Sequence, residues 1–204
     1  MEGILKADTG QSRKVHPHKF ALWLAMGSIA MMFAGLTSAY MVRQAQGNWR
    51  IFKMPPVFWV STAVILLSSV TVFLGVRAFK QREMVKYRLL LTTTVVLGLL
   101  FGVLQSLGFW QLYHQPQATI IDGRTIMQTV RVAGNPSESF LFIITGLHLA
   151  HILGGIIVLV IVFLTAYRKR VKVYNATGLE IAASYWHFVD ALWLYLFIFF
   201  LANQ

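Results

Sequence analysis

Five long apolar runs dominate the chain, at residues 20–42, 57–76, 89–113, 140–167 and 181–201, and none contains a proline. At about 1.5 Å of rise per residue, each is long enough to cross a hydrocarbon layer of about 30 Å. Inside such a layer every backbone N–H and C=O must be satisfied internally, so separated runs of this length fold as helices. The sequence therefore predicts an all-α fold, an integral membrane bundle of five transmembrane helices, with residues 1–19 as an N-terminal tail and 20–204 as one domain. The balance of 57% hydrophobic to 12% charged residues agrees, since an ordinary soluble domain carries about twice that share of charge. With no cysteine, the chain forms no disulfide, Cys-ligated zinc site, iron–sulfur cluster or thiolate copper centre.

The net charge of +11 is distributed by side rather than gathered in a patch. Lys6, Arg13, Lys14 and Lys19 precede the first run. Arg77, Lys80, Arg82, Lys86 and Arg88 separate the second from the third, and Arg168, Lys169, Arg170 and Lys172 separate the fourth from the fifth. Only Arg43, Arg50, Lys53, Arg124 and Arg131 fall on the other side. The positive-inside rule then places the N-terminus in the cytoplasm and the C-terminus outside, in an inner (plasma) membrane. The basic clusters meet lipid head groups, and no nucleic-acid partner is expected. The first run is too long for a signal peptide core and lacks a small-residue cleavage pattern, so it reads as a retained anchor.

Small residues recur every four positions at Gly98, Gly102 and Ser106, at Gly146, Ala150 and Gly154, and at Ala30, Ala34 and Ser38. Stripes of this kind let membrane helices approach closely, either within the bundle or against another subunit. In the long loop 114–139, residues 120–126 read as a hairpin turning at Asp122-Gly123.

Ionisable groups inside the membrane are costly, which makes the few present here the first candidates for function. His148 and His151 share a face of the fourth run, while Glu180, His187 and Asp190 form a stripe on the fifth. One reading makes the histidines ligands of haem or metal, as in a small membrane cytochrome. The other makes the five residues a structural polar cluster, a hydrogen-bonded brace between two helices. The spacing favours the brace, because His148 and His151 lie less than one turn apart, whereas diheme cytochromes use well-separated axial pairs. A proton relay lacks a further embedded carboxylate.

The run Tyr185-Trp186-His187-Phe188-Val189-Asp190-Ala191-Leu192-Trp193 resembles the C-terminal signature of subunit III of the haem-copper oxidases. Thr145-Gly146-Leu147-His148-Leu149-Ala150-His151 with Gly155, the Leu104-Gln105 pair, Glu180 and the segment 19–40 match the same family in the right order. The chain is similar to the short form with five helices. The resemblance implies an accessory subunit with no catalytic centre, haem or metal of its own. Haem and copper would lie in partner subunits, above all the catalytic subunit I, and bound phospholipid is expected. The attributed roles are protection of the catalytic subunit during oxygen reduction and proton pumping, and assistance to proton uptake or oxygen access. A subunit III-like component of a quinol oxidase or nitric oxide reductase is the alternative. Two departures bear on mechanism: Ser28 and Gly108 stand where the family usually has glutamates, which favours packing and lipid contact over carboxylate chemistry.

Overall fold

The computed structural model describes residues 17–46, 54–114, 117–121, 124–128, 136–168 and 176–203. Five helices long and apolar enough to cross a membrane appear in it: α1 (Pro17–Gln44), α2 (Val57–Lys80), α3 (Met84–His114), α4 (Pro136–Tyr167) and α5 (Thr177–Ala202). Each contains one of the expected runs. Pro17 and Pro136 open α1 and α4, where a missing N–H costs nothing and the fixed φ suits the first turn. With 31 and 32 residues, α3 and α4 reach about 46–48 Å and overhang the hydrocarbon layer.

The overhang leads into an antiparallel hairpin of β1 (Gln117–Ile121) and β2 (Arg124–Gln128), with Ile121 paired to Arg124. That register leaves a two-residue connection at Asp122-Gly123, the expected turn, and these two residues lie outside the described set. The strands extend beyond the 120–126 segment. Lys6, Arg13, Lys14, Arg50, Lys53, Arg131, Lys169, Arg170 and Lys172 also lie outside it.

α2 and α3 form the most extensive pair, and α2, α3, α4 and α5 close a ring in that order, with α1 packed outside it on α4 and α5. Buried positions reveal how the ring is built. From Phe58 to Gly75 of α2 they are Phe58, Ser61, Ile65, Ser68, Val72 and Gly75, and from Leu91 to Leu112 of α3 they are Leu91, Thr94, Gly98, Phe101, Gln105, Gly108 and Leu112. Steps alternate between three and four residues, the pattern of left-handed packing at about +20°. The outer surface stays apolar, with Trp59, Leu107, Ile157 and Ile161 all exposed to what would be lipid. α1 contributes only Phe33, Thr37 and Tyr40 to the buried interior.

The short connection between α2 and α3 is a Schellman closure. The Glu83 N–H donates to the Ala78 carbonyl and the Arg82 N–H to the Phe79 carbonyl, at 3.0 and 3.1 Å. Arg82 takes the left-handed position with φ 61°, a place that glycine fills more easily.

Candidate functional site

The polar side chains concentrate on one seam, between α2 and α5. On α2, Ser61-Thr62 and Ser68-Ser69 are two hydroxyl pairs seven residues apart, which puts them on one face separated by two turns. α5 answers with the same spacing. The Trp186 indole N–H donates to Ser68 Oγ at 3.1 Å, and the Trp193 indole N–H donates to Thr62 Oγ1 at 2.9 Å. His187 Nδ1 lies 2.6 Å from Ser69 Oγ. Gln105 of α3 completes the seam by donating to Ser61 Oγ at 3.2 Å. A hydrogen bond between helices has no water competing for it in this setting, so each such bond fixes register as well as adding stability.

Trp186 is fully buried and touches three other helices. Its ring lies between two glycines: a Cβ at Gly98 of α3 would meet Cη2 at 3.0 Å, and one at Gly155 of α4 would meet Cε3 at 3.0 Å. Those glycines form the slot for the indole, while its N–H reaches α2. His148 of α4 stacks on the Trp193 ring at 5.3 Å with 21° between planes, and Phe33 of α1 approaches it edge-on.

The five residues of the expected cluster occupy separate surroundings. Among the described residues, neither His148 nitrogen and neither Asp190 carboxyl oxygen has a hydrogen-bond partner, although both side chains are buried. Ser69 lies beside Asp190 without reaching bonding geometry. His151 Nδ1 bonds the Leu147 carbonyl of its own helix at 2.7 Å, and its ring meets Phe33. Glu180 sits at the end of the bundle to which the N-terminal tail leads, between Lys19 Nζ at 2.6 Å and Lys80 Nζ at 2.7 Å. The structure thus does not join these five into one His–Asp–Glu network. The polar fasteners of α5 are instead α2 hydroxyls, two lysines, the Thr37 hydroxyl of α1 paired with Tyr195, and the His151 backbone carbonyl of α4, which accepts from Tyr185. Among the described residues no group of three His, Asp or Glu converges as a metal set would.

The small-residue stripes fare differently from one another. Gly98 is buried against Trp186, Gly102 is half-buried with Ile156 Cδ1 3.3 Å from a built Cβ, and Ser106 is exposed. Four-residue steps drift by about 40° on a helix with 3.6 residues per turn, so the stripe rotates out of the core. A Cβ on Gly146 meets nothing within 4 Å, Ala150 is exposed, and Gly154 comes only within 3.7 Å of the Tyr185 hydroxyl. Ala30, Ala34 and Ser38 all face outward on α1.

The substitutions at the two family glutamates have visible surroundings. Ser28 is exposed on α1. Gly108 lies under the Phe58 ring, where a Cβ would stand 2.7 Å from Cε1, so no side chain fits without moving a core aromatic. Sequence reasoning passed over the α2 hydroxyl pairs, whose heptad spacing was their signal. It also passed over Glu138, which is buried in the first turn of α4 just ahead of the expected span.

Five membrane-length helices joined across their seams by side-chain hydrogen bonds define a polytopic membrane protein. Comparison with known proteins then places it. Residues 19–202 match the family model for cytochrome c oxidase subunit III. Cytochrome c oxidase subunit 3 of Corynebacterium diphtheriae is 33% identical over 175 residues, covering 82% of this chain and 79% of the relative. The probable cytochrome c oxidase subunit 3 of Nocardia farcinica is 29% identical, covering 86% and 82%. The protein of that name in Bacillus sp. strain PS3 is 25% identical, covering 86% and 80%. The chain belongs to the cytochrome c oxidase subunit III family, and is an accessory subunit III of a haem-copper oxidase.

Proposed function

We propose that the chain works by packing and lipid contact, stabilising the catalytic subunit I that holds haem and copper, with no redox centre of its own. The observation that carries this reading is the division of the three embedded histidines among an aromatic stack, a backbone carbonyl and a serine hydroxyl. Axial or metal ligands would have to converge, and these are each engaged with a different group: the Trp193 ring of α5, the Leu147 carbonyl of the histidine's own helix and the Ser69 hydroxyl of α2. The exposed apolar surface and the outward stripe on α1 supply area for subunit and lipid contacts. In this reading the protein sits in the plasma membrane with its basic end cytoplasmic, and lipid completes the contact with the partner.

The test is to purify the tagged chain in mild detergent and then compare the oxidase with and without it. A haem- and copper-containing oxidase is expected to co-purify. Without the chain the oxidase should keep its haems and most of its initial rate, then lose activity during sustained turnover. Loss of a haem on removal, or collapse of the initial rate with no later decay, would overturn the proposal.

A further inference from the structure

α1 meets the rest of the bundle unevenly along its length. Its buried residues, Phe33, Thr37 and Tyr40, lie in the half nearer its C-terminus, where it packs on α4 and α5. The Thr37 hydroxyl pairs with the Tyr195 hydroxyl at 2.6 Å, and the Tyr40 ring meets Phe140 of α4 and Phe199 and Phe200 of α5 edge-on. The first turns stand instead beside an open cleft of about 410 Å³, lined by Leu22 and Trp23 of α1, Phe73 and Val76 of α2 and, deeper, His187 of α5. At its tail-side end the Glu180 carboxylate takes the Lys19 ammonium of α1 at 2.6 Å and the Lys80 ammonium of α2 at 2.7 Å. We propose that α1 is a hinged strap that pivots near Phe33, and that the Lys19–Glu180 ion pair is the latch holding its tail-side half over the cleft.

Leverage is the first reason. Lys19 lies 14 residues before Phe33. That is about 21 Å along the helix axis, so a tilt of about 10° at the pivot carries Lys19 about 4 Å, out of ion-pair contact. The second reason is that Glu180 has two cations. When Lys19 leaves, the carboxylate keeps Lys80, so opening orphans no charge on α5, and the Lys19 side chain, already 40% exposed, turns to water. Glu180 is thus paired whether the strap is closed or open, which keeps the two arrangements close in energy. The third reason is the chemistry of the two attachments. The pivot is aromatic and apolar and does not respond to salt, whereas a partly exposed ion pair is screened as ionic strength rises. Ionic strength at the tail-side face therefore sets the position of the strap. Opening widens the approach to His187, whose Nδ1 lies 2.6 Å from Ser69 Oγ. A packing subunit acquires one moving part in this way.

The chain has no cysteine, so spin labels attach to it only where cysteines are introduced. The full chain, with whatever subunits it carries and with the unsubstituted complex as blank, is placed in lipid nanodiscs and labelled at Phe20→Cys and Leu74→Cys. Both positions are exposed, on α1 and α2, and neither lines the cleft. A second pair, Met41→Cys and Val60→Cys, reports on the far half of the same two helices. Distances are read by pulsed electron paramagnetic resonance. K19Q removes the latch and leaves Glu180 on Lys80, so it should lengthen the tail-side distance by about 4 Å and leave the far pair unchanged. K80Q gives the carboxylate to Lys19 alone and should keep the closed distance. Raising salt from about 0.1 to about 1 M, which shortens the Debye length from about 10 to about 3 Å, should move the otherwise unsubstituted chain toward the K19Q distance and leave K19Q where it is. An unchanged tail-side distance in K19Q would overturn the proposal, as would equal lengthening in K19Q and K80Q or the lack of a salt response. A matching shift in the far pair would overturn it too, since α1 would then be leaving as a whole rather than turning on a pivot.

Discussion

At the level of single residues, Trp186 shows how one side chain organises four helices. Its ring needs the absence of side chains on α3 and α4, and its N–H needs a hydroxyl on α2. Gly155→Leu should therefore force the indole aside and lower stability by about 1–3 kcal/mol, the usual cost of overpacking. Gly146→Leu, on the same helix but with open space around it, should be close to neutral. Thermal unfolding in detergent, followed by tryptophan fluorescence, checks the pair, and equal effects would mean that the slot does not govern packing. Gly155 was legible in the sequence only as a neighbour of His151, and its packing role became visible once the indole was placed. Gly108 follows the same logic: the Phe58 ring accounts for why a glutamate is not accommodated there.

Among the elements, the spans were plain in the sequence and their inward faces were not. A helix in lipid is apolar all round, so hydrophobicity marks its length but leaves its orientation unmarked. Small and polar residues carry that information, on alternating steps of three and four: Ser61 and Ser68 on α2, Thr94, Gly98, Gln105 and Gly108 on α3. Reading at a uniform step of four follows the wrong line around the cylinder, which is why Ser106, Ala150 and Ser38 face outward. The α2–α3 connection offers a test at this scale. Arg82 holds a left-handed conformation costing about 1–2 kcal/mol for a residue with a Cβ. Arg82→Gly relieves that strain but adds about 0.5–1 kcal/mol of chain entropy to the unfolded state, so a net gain of up to about 1 kcal/mol is expected. Arg82→Val should destabilise. Denaturant midpoints of the two variants decide the matter, and a loss of stability with glycine would contradict the conformational argument.

For the molecule as a whole, the described helix ends gather Lys19, Arg77, Lys80, Arg82, Lys86 and Arg88 at the tail-side face. A reporter fused after Gln204 should consequently read as extracytoplasmic, and a cytoplasmic reading would show that this charge asymmetry does not set orientation. The ring also imposes an order of events on a chain that leaves the ribosome from its N-terminal end. α2, α3 and α4 can each enter the bilayer and associate, but Ser68, Gly98 and Gly155 then surround a gap that only α5 fills. A chain stopped short of α5 leaves that slot empty, with the Ser68 hydroxyl and the bare faces of Gly98 and Gly155 uncovered. The indole that locks the mature subunit is therefore the last piece of the ring to be made.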